Sequence, residues 1–284
     1  NMASPKAEKR KADDAFDLIT NPTIRAAVST LASVIEPAAI FAKLPHLSST
    51  KKRIAAEFDL DIASAVDHTV LKPETTAAQV DTLCEEALKH KFAAVCVNGC
   101  RAAQALEKLK GSDVKVAVVV GFPLGACTTA GKVAEARELI KLGVAELDMV
   151  LNVGLLKDRQ YMQAMEDIKA VVDAAVEEDK HAVVKVIFET CLLSDEEIAI
   201  ASILSALAGA HFVKTSTGFG SAGATLPHVQ LMKETVADVC RVKASGGVRT
   251  RDDALALLRA GASRLGTSGG VKLVEGAAVE KGAY

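Results

Sequence analysis

The chain has 284 residues, half of them hydrophobic, and a formal net charge of -2. So small a charge gives no electrostatic basis for binding nucleic acid or an anionic membrane surface. No apolar run reaches the roughly 18 residues of a membrane span, and the polar first residues do not form a secretory signal, so we expect a cytoplasmic protein.

Residues 1–60 differ in character from the rest and are interpreted as an N-terminal extension. Its first residues are polar and charged, which predicts a partly flexible start. Helical spacing follows from Pro22 to Leu31, and Pro37 and Pro45 interrupt the remainder. We therefore predict that the extension becomes helical and packs on a main domain of residues 61–284, which ends in a flexible tail.

A regular alternation of short apolar runs and helical patterns begins near residue 61. The strand candidates are Ala63–Leu71, Ala93–Asn98, Lys115–Phe122, Ala145–Val153, Ala182–Glu189, His211–Ser216, Val239–Ser245 and Ser263–Thr267. The helices are expected to begin near Thr76, Gly99, Lys132, Gln163, Ser194, Leu226 and Thr250, with a short last helix after Ser268. Eight such units predict an α/β fold of the (β/α)8 TIM barrel type, because a doubly wound sheet normally stops at about six strands.

Two lysines occupy matching places on neighbouring strand candidates. Lys214 lies within the sixth, where burial disfavours the ammonium ion and lowers the pKa of the amine. A free amine in a dry pocket is the nucleophile of Schiff-base chemistry, and the structural alternative is a strand-end lysine that reaches water. Lys243 lies near the end of the seventh candidate, and a second cation beside Lys214 would lower its pKa further.

Acidic side chains on the fourth and fifth strand candidates are expected to face the barrel interior. Asp148 shares a face with Glu146, and a buried acid needs a cationic partner such as an inward lysine. Asp148 then either shuttles protons through water or forms only a structural ion pair. Lys185 and Glu189 are interpreted as a further ion pair that lines the barrel.

Glycine turns follow the last three strand candidates. Barrel enzymes often bind phosphate in the loops after strands 7 and 8, where backbone N–H groups can approach an anion. These turns therefore predict a phosphate site, and the alternative is that the glycines only make tight turns. The residues of this predicted site are Thr217, Gly218, Gly246, Gly247, Gly266, Thr267 and Ser268.

The end of the first strand candidate offers Asp67 or Thr69 to hold a substrate hydroxyl, while His68 falls on the opposite face and is interpreted as structural. Cys96 is interpreted as a small core residue of the substrate pocket, since no histidine is placed to activate it. No set of His, Asp, Glu or Cys residues has metal-ligand spacing. The six cysteines are therefore taken as reduced thiols, and no metal or cofactor is expected.

Several of these segments together resemble the deoxyribose-phosphate aldolase family over about residues 61–284. The matching segments are Asp67-His68-Thr69, Gly121-Phe122-Pro123-Leu124-Gly125, Lys132-Val133-Ala134-Glu135-Ala136, Glu146-Leu147-Asp148, Lys214-Thr215-Ser216-Thr217-Gly218-Phe219 and Lys243-Ala244-Ser245-Gly246-Gly247-Val248-Arg249. The resemblance implies a class I, metal-independent aldolase of deoxyribonucleoside catabolism. Such an enzyme reversibly cleaves 2-deoxy-D-ribose 5-phosphate to glyceraldehyde 3-phosphate and acetaldehyde.

The resemblance also implies roles for individual residues. Lys214 would form the Schiff base, Lys243 would lower its pKa, and Asp148 would relay protons through water. The family uses a C-terminal tyrosine in proton transfer, which Tyr284 matches. Two departures are Phe219, where some members have lysine, and Ala244, where many have proline.

Two other functions remain open at this point. One is a Schiff-base aldolase of the same barrel type that acts on a different phosphorylated sugar. The other is a catalytically silent barrel that binds a sugar phosphate. A homodimer or a larger assembly such as a tetramer, formed through apolar outer helices, is also expected.

Overall fold

A computed structural model describes residues 16–49 and 61–277. Within these ranges eight parallel strands close into a barrel in sequence order, because β1 pairs with both β2 and β8. The strands are β1 (Val66–Thr69), β2 (Ala94–Val97), β3 (Lys115–Val120), β4 (Glu146–Val150), β5 (Val183–Ile187), β6 (Phe212–Lys214), β7 (Arg241–Ser245) and β8 (Arg264–Thr267). The predicted (β/α)8 TIM barrel is confirmed.

Helices lie between the strands and ahead of the barrel. They are α1 (Pro22–Leu31), α2 (Pro37–Lys43), α3 (Ile62–Ala65), α4 (Ala77–His90), α5 (Ala102–Lys108), α6 (Thr129–Leu142), α7 (Val153–Lys157), α8 (Tyr161–Glu178), α9 (Asp195–Leu207), α10 (Leu226–Val236), α11 (Arg251–Arg259) and α12 (Gly270–Glu275). Short 3-10 turns cover Pro45–Ser48, Gly99–Arg101 and Thr190–Leu192. No helix in the described ranges is both long and apolar enough to cross a membrane.

Three helix starts follow from local side-chain chemistry. The side chains of Thr76, Ser194 and Thr250 each accept a hydrogen bond from the backbone N–H three residues later. The side chain of that later residue accepts a hydrogen bond from the backbone N–H of the capping residue. Such reciprocal capping satisfies backbone N–H groups that otherwise have no partner. The predicted starts of α4, α9 and α11 are confirmed.

Other predicted boundaries are wrong because a capping side chain intervenes. The first strand does not begin at Ala63, since the Asp61 carboxylate caps α3 ahead of it. The fourth strand does not reach Val153, since the Asn152 side chain accepts from Leu155 N at 3.2 Å and begins α7. Short polar residues compete with strand pairing in this way.

The barrel has an outer and an inner core of different character. Outward residues such as Val95, Leu147 and Val213 are fully buried against the helices. Inside, one wall is small and apolar and consists of Leu71, Ala94, Cys96, Ala117 and Val119. Much of the remaining interior consists of buried charged side chains, among them Asp67, Asp148, Lys185, Lys214 and Lys243.

The helices ahead of the barrel pack against its outer layer. Helix α1 lies against α9, where Ala27, Val28 and Leu31 are fully buried and Thr30 Oγ1 donates to Glu196 at 2.7 Å. The predicted Pro22–Leu31 helix is confirmed. The division near residue 60, the flexible start and the flexible tail lie outside the described residues and stay predictions.

We predict that Leu31→Ala lowers the free energy of unfolding by about 3 kcal/mol, since a buried leucine loses its packing and leaves a cavity. Urea denaturation of the purified chain measures this. Val34→Ala is the control, because Val34 is 48% exposed and its truncation leaves no cavity. An equal loss from both variants would mean that α1 is not docked as described.

Candidate active site

A carboxylate at the centre of the barrel binds three lysines. Asp148 on β4 accepts hydrogen bonds from Lys185 at 2.7 Å, Lys214 at 2.7 Å and Lys243 at 2.8 Å. All four side chains are buried, and they meet because alternate residues of adjacent parallel strands face inward. Burial by itself raises the pKa of Asp148, but the three ammonium groups hold it well below its ordinary value.

Lys214 is the lysine whose charge is least supported. Among the described residues, Asp148 is its one carboxylate contact, at 2.7 Å. Burial lowers the pKa of Lys214, and the nearby Lys243 lowers it further against the opposing pull of Asp148. At a given pH this amine is therefore deprotonated to a larger extent than an exposed lysine.

For Lys243 and Lys185, attraction to nearby carboxylates outweighs the effect of burial on the pKa. Lys243 contacts Asp67 as well as Asp148, and Lys185 contacts Glu146 at 2.6 Å as well as Asp148. Burial opposes both charges, yet these carboxylates raise the pKa of Lys243 well above its ordinary value and also raise the pKa of Lys185. Both lysines are thus more strongly held in the charged form than Lys214.

Arg264 on β8 completes the cluster on the side of the strand N-termini. Its guanidinium bonds Asp67 and, at 2.7 Å, Glu146, and its centre lies 5.8 Å from the Phe212 ring. Sequence reasoning missed Arg264, although its place two residues before Gly266 on the inner face of a strand was a usable signal. It leaves both Asp67 oxygens in ion pairs, so the predicted contact of Asp67 with a substrate hydroxyl stays a prediction.

The predicted pair between Lys185 and Glu189 is wrong. Lys185 forms salt bridges with Glu146 and Asp148. The Glu189 carboxylate instead accepts a hydrogen bond from the Thr217 hydroxyl. Glu189 has φ 55, in the left-handed region that is unusual for a residue with a side chain. This conformation turns the carboxylate toward the loop after β6 and away from the lysines.

The remaining predicted substrate residues of β1 and β2 lie at the apolar wall. Thr69 is buried and its hydroxyl donates to Asp67 O, two residues earlier in the chain, at 2.8 Å. Cys96 is fully buried, and burial raises the pKa of its thiol. Cys96 is thus placed as the small core residue that was predicted. His68 faces outward and contacts Glu86 at 2.6 Å.

The glycine turns meet at the carboxyl end of the strands. Gly218, Gly246 and Gly247 have φ of 89°, 81° and 75°, which a side chain would strain. A Cβ on Gly246 would lie 3.7 Å from Gly218 Cα, so the loops after β6 and β7 adjoin. A Cβ on Gly223 would lie 2.1 Å from Gly246 O, so close approach of the chain fixes this loop.

The threonines of the predicted phosphate site are occupied by protein contacts. Thr217 Oγ1 donates to Glu189 and accepts from Phe219 N at 3.0 Å. Thr267 Oγ1 accepts from Gly269 N at 3.0 Å. Both hydroxyls shape their turns, so the backbone N–H groups of the turns are the candidate donors to an anion.

Two predicted features lie at or beyond the barrel mouth. Phe219 is 44% exposed and packs edge-on against Phe122, with ring centroids 5.2 Å apart. Tyr284 lies outside the described residues, so its predicted role in proton transfer stays a prediction.

The sequence model of the DeoC/LacD family aldolases matches residues 62–278 of this chain. A deoxyribose-phosphate aldolase from Clostridium perfringens (strain SM101 / Type A) is 52% identical over 215 residues, which is 76% of this chain and 95% of that protein. The chain belongs to the DeoC/LacD aldolase family. It is therefore an aldolase, a carbon–carbon lyase.

Further similarity supports this assignment. A deoxyribose-phosphate aldolase from Exiguobacterium sibiricum is 53% identical over 218 residues, 76% of this chain and 97% of that protein. A Coccidioides immitis protein whose crystal structure is described as that of a putative deoxyribose-phosphate aldolase is 45% identical in sequence. The two structures superpose with a TM-score of 0.73, covering 75% of this chain and 84% of that one. The deoxyribose phosphate aldolase of Aeropyrum pernix is 32% identical with a TM-score of 0.70, covering 75% and 89%.

We predict that Arg264→Met lowers the free energy of unfolding by about 3 kcal/mol, since it leaves Asp67 and Glu146 short of a buried cation. Urea denaturation at neutral pH tests this. Arg137→Met is the control and should cost far less, because Arg137 binds Glu177 and Glu178 at the solvent-exposed surface. Equal costs would contradict the importance of the interior cluster.

Proposed function

We propose that this aldolase reversibly cleaves 2-deoxy-D-ribose 5-phosphate to glyceraldehyde 3-phosphate and acetaldehyde through a Schiff base on Lys214. The observation that carries the proposal is a buried amine of lowered pKa beside two lysines whose pKa values are raised. Relatives named deoxyribose-phosphate aldolase, at 52% and 53% identity, support the substrate.

The free amine of Lys214 attacks the C1 aldehyde of the open-chain sugar, and loss of water gives the imine. The imine accepts the electron pair of the C2–C3 bond as that bond breaks, which leaves an enamine of acetaldehyde on Lys214 and releases glyceraldehyde 3-phosphate. Protonation of the enamine at C2 and hydrolysis of the imine release acetaldehyde. The two-carbon fragment is proposed to lie against the small apolar wall around Ala94, Cys96 and Ala117.

Asp148 is proposed as the proton relay. Its carboxylate lies 2.7 Å from Lys214 Nζ and its pKa is lowered, so it is ionised and able to accept a proton through water from the C3 hydroxyl. Lys243 is proposed to keep the pKa of Lys214 low by its charge. Tyr284 is proposed to assist proton transfer at the acetaldehyde carbon.

The phosphate is proposed to bind at the glycine turns of the strand carboxyl ends. Support comes from Gly246 and Gly247, whose left-handed backbone and lack of a side chain allow an anion to approach the turn closely. The other members of the proposed site are Thr217, Gly218, Gly266, Thr267 and Ser268. We also propose a homo-oligomer, since the Aeropyrum pernix aldolase has a tetrameric structure.

We predict that borohydride reduction in the presence of acetaldehyde leaves an ethyl group on Lys214, as read by peptide mass mapping. Lys214→Arg should keep the fold and lose at least about 10³-fold in cleavage rate, since a guanidinium forms no imine under these conditions. An adduct on Lys243 would reverse the roles of the two lysines. Absence of any adduct would favour a silent sugar-phosphate-binding barrel.

Substrate comparison tests the other half of the proposal. Release of acetaldehyde from 2-deoxyribose 5-phosphate should exceed release from unphosphorylated 2-deoxyribose, because only the former reaches the glycine turns. A Schiff-base enzyme that prefers a different phosphorylated sugar would keep the lysine assignment and overturn the substrate.

We predict that Lys243→Met shifts the pH profile of imine trapping to higher pH. Lys243 lowers the pKa of Lys214, so its removal raises that pKa and reduces the free amine at any given pH. The rate of borohydride trapping with acetaldehyde, measured across pH, reports the shift. Lys157→Met is the control, since Lys157 lies at the surface against Glu197, and an unshifted profile in Lys243→Met would refute the charge effect.

A further inference from the structure

Two serine hydroxyls in the barrel interior have no partner among residues 16–49 and 61–277. Ser216 and Ser245 are both fully buried. Within the described residues, neither Oγ atom has a hydrogen-bond partner. A buried hydroxyl without a partner is unfavourable, so such a group calls for a ligand that pairs with it.

The backbone of Ser245 is held in place so that its side chain faces inward. Thr215 Oγ1 accepts from Ser245 N at 3.0 Å and donates to Ser245 O at 3.1 Å. Ala224 N also donates to Ser245 O at 3.1 Å. Ser245 therefore has its backbone groups satisfied, and only its hydroxyl is left over.

The Ser245 hydroxyl occupies space that Gly266 leaves open. A Cβ on Gly266 would lie 2.2 Å from Ser245 Oγ and 3.1 Å from Lys243 Cε. The unpaired hydroxyl and the end of the Lys243 side chain thus adjoin the same gap. Since Ser245 is two residues beyond Lys243 on β7, its hydroxyl lies on the same face, closer to the carboxyl end.

Ser216 has the same relation to Lys214. It follows Lys214 by two residues, and the strand pairing continues past β6, since Thr215 N donates to Lys243 O at 3.1 Å. A Cβ on Gly246 would lie 3.6 Å from Ser216 Cβ, which places this serine beneath the glycine turn. Each lysine therefore has an unpaired serine hydroxyl between it and the proposed phosphate site.

We propose that Ser216 and Ser245 form the subsite for the C4 hydroxyl of the sugar and so select aldehydes that carry a hydroxyl next to the carbonyl. The inference rests on the proposed function: with C1 bonded to Lys214 and the phosphate on the glycine turns, the middle of the sugar crosses the level of the two serines. Asp148 serves the C3 oxygen, which leaves the C4 hydroxyl as the group that pairs with them.

The experiment measures aldol addition of acetaldehyde to two acceptors, D-glyceraldehyde 3-phosphate and 3-oxopropyl phosphate, which lacks only the hydroxyl. A site that pairs buried polar groups with a substrate hydroxyl rejects the deoxy analogue by on the order of 10⁴ in kcat/KM. We expect that preference in the wild type and at least about a tenfold smaller preference in Ser245→Ala and in Ser216→Ala.

Ser205→Ala is the matched control. Ser205 is also fully buried, but it lies on the outer helix α9 and its hydroxyl donates to Ala201 O at 2.7 Å. It should keep the wild-type preference. A change in the preference ratio separates recognition of the hydroxyl from a general loss of packing, which lowers the rates with both acceptors alike.

Borohydride trapping with acetaldehyde on each protein reports Lys214 independently of the acceptor. Wild-type protein that is trapped but shows similar kcat/KM for both acceptors overturns the serine subsite and leaves the proposed function intact. Unchanged preference in both alanine variants overturns it as well. Wild-type protein that is not trapped on Lys214 overturns the proposed function itself.

Discussion

The candidate active site depends on an imbalance of charge in the buried interior of the barrel. Four cationic side chains, Lys185, Lys214, Lys243 and Arg264, surround three carboxylates in the barrel interior, Asp67, Glu146 and Asp148. Full ionisation leaves one uncompensated positive charge, which is costly in a buried setting. The cation with the fewest carboxylate contacts is the one that loses its proton most readily, and that is Lys214.

The same imbalance explains why three lysines are needed around one carboxylate. If Asp148 served Lys214 alone, the pair would be a stable salt bridge and the amine would stay protonated. Lys185 and Lys243 share Asp148 and dilute its hold on Lys214. Asp67 raises the pKa of Lys243 and Glu146 raises the pKa of Lys185, and Arg264 donates hydrogen bonds to both carboxylates. The low pKa of Lys214, the proposed nucleophile, is thus set by residues on five strands.

The sequence predicted site residues correctly where the alternation of side chains along a strand shows which residues face the barrel interior. Lys214, Lys243 and Asp148 each stand on an apolar strand at a place where alternation points inward, and the structure brings all three together. Arg264 was missed because its importance depends on Asp67 and Glu146, which are distant in sequence. The pairing of Lys185 was mispredicted for the same reason, since alternation gives a face but not a partner.

Strand and helix ends were the other source of error. Asp61 and Asn152 begin short helices where apolar runs suggested strand. The sequence also could not predict that the Ser216 and Ser245 hydroxyls lack hydrogen-bond partners among the described residues, because this depends on the positions of all surrounding polar atoms. The resemblance did identify the glycine turns. It could not show that the Thr217 and Thr267 hydroxyls accept hydrogen bonds from backbone N–H groups within those turns.

The contact between Ser245 and the bare α-carbon of Gly266 makes these two positions dependent on each other during evolution or redesign. Any side chain at position 266 displaces the serine, and any residue at position 245 that is larger than serine fills the gap that the glycine provides. Libraries that vary one position with the other fixed therefore sample mostly blocked pockets. Varying the two together, with total volume conserved, reaches altered acceptor pockets without disturbing the lysines beneath.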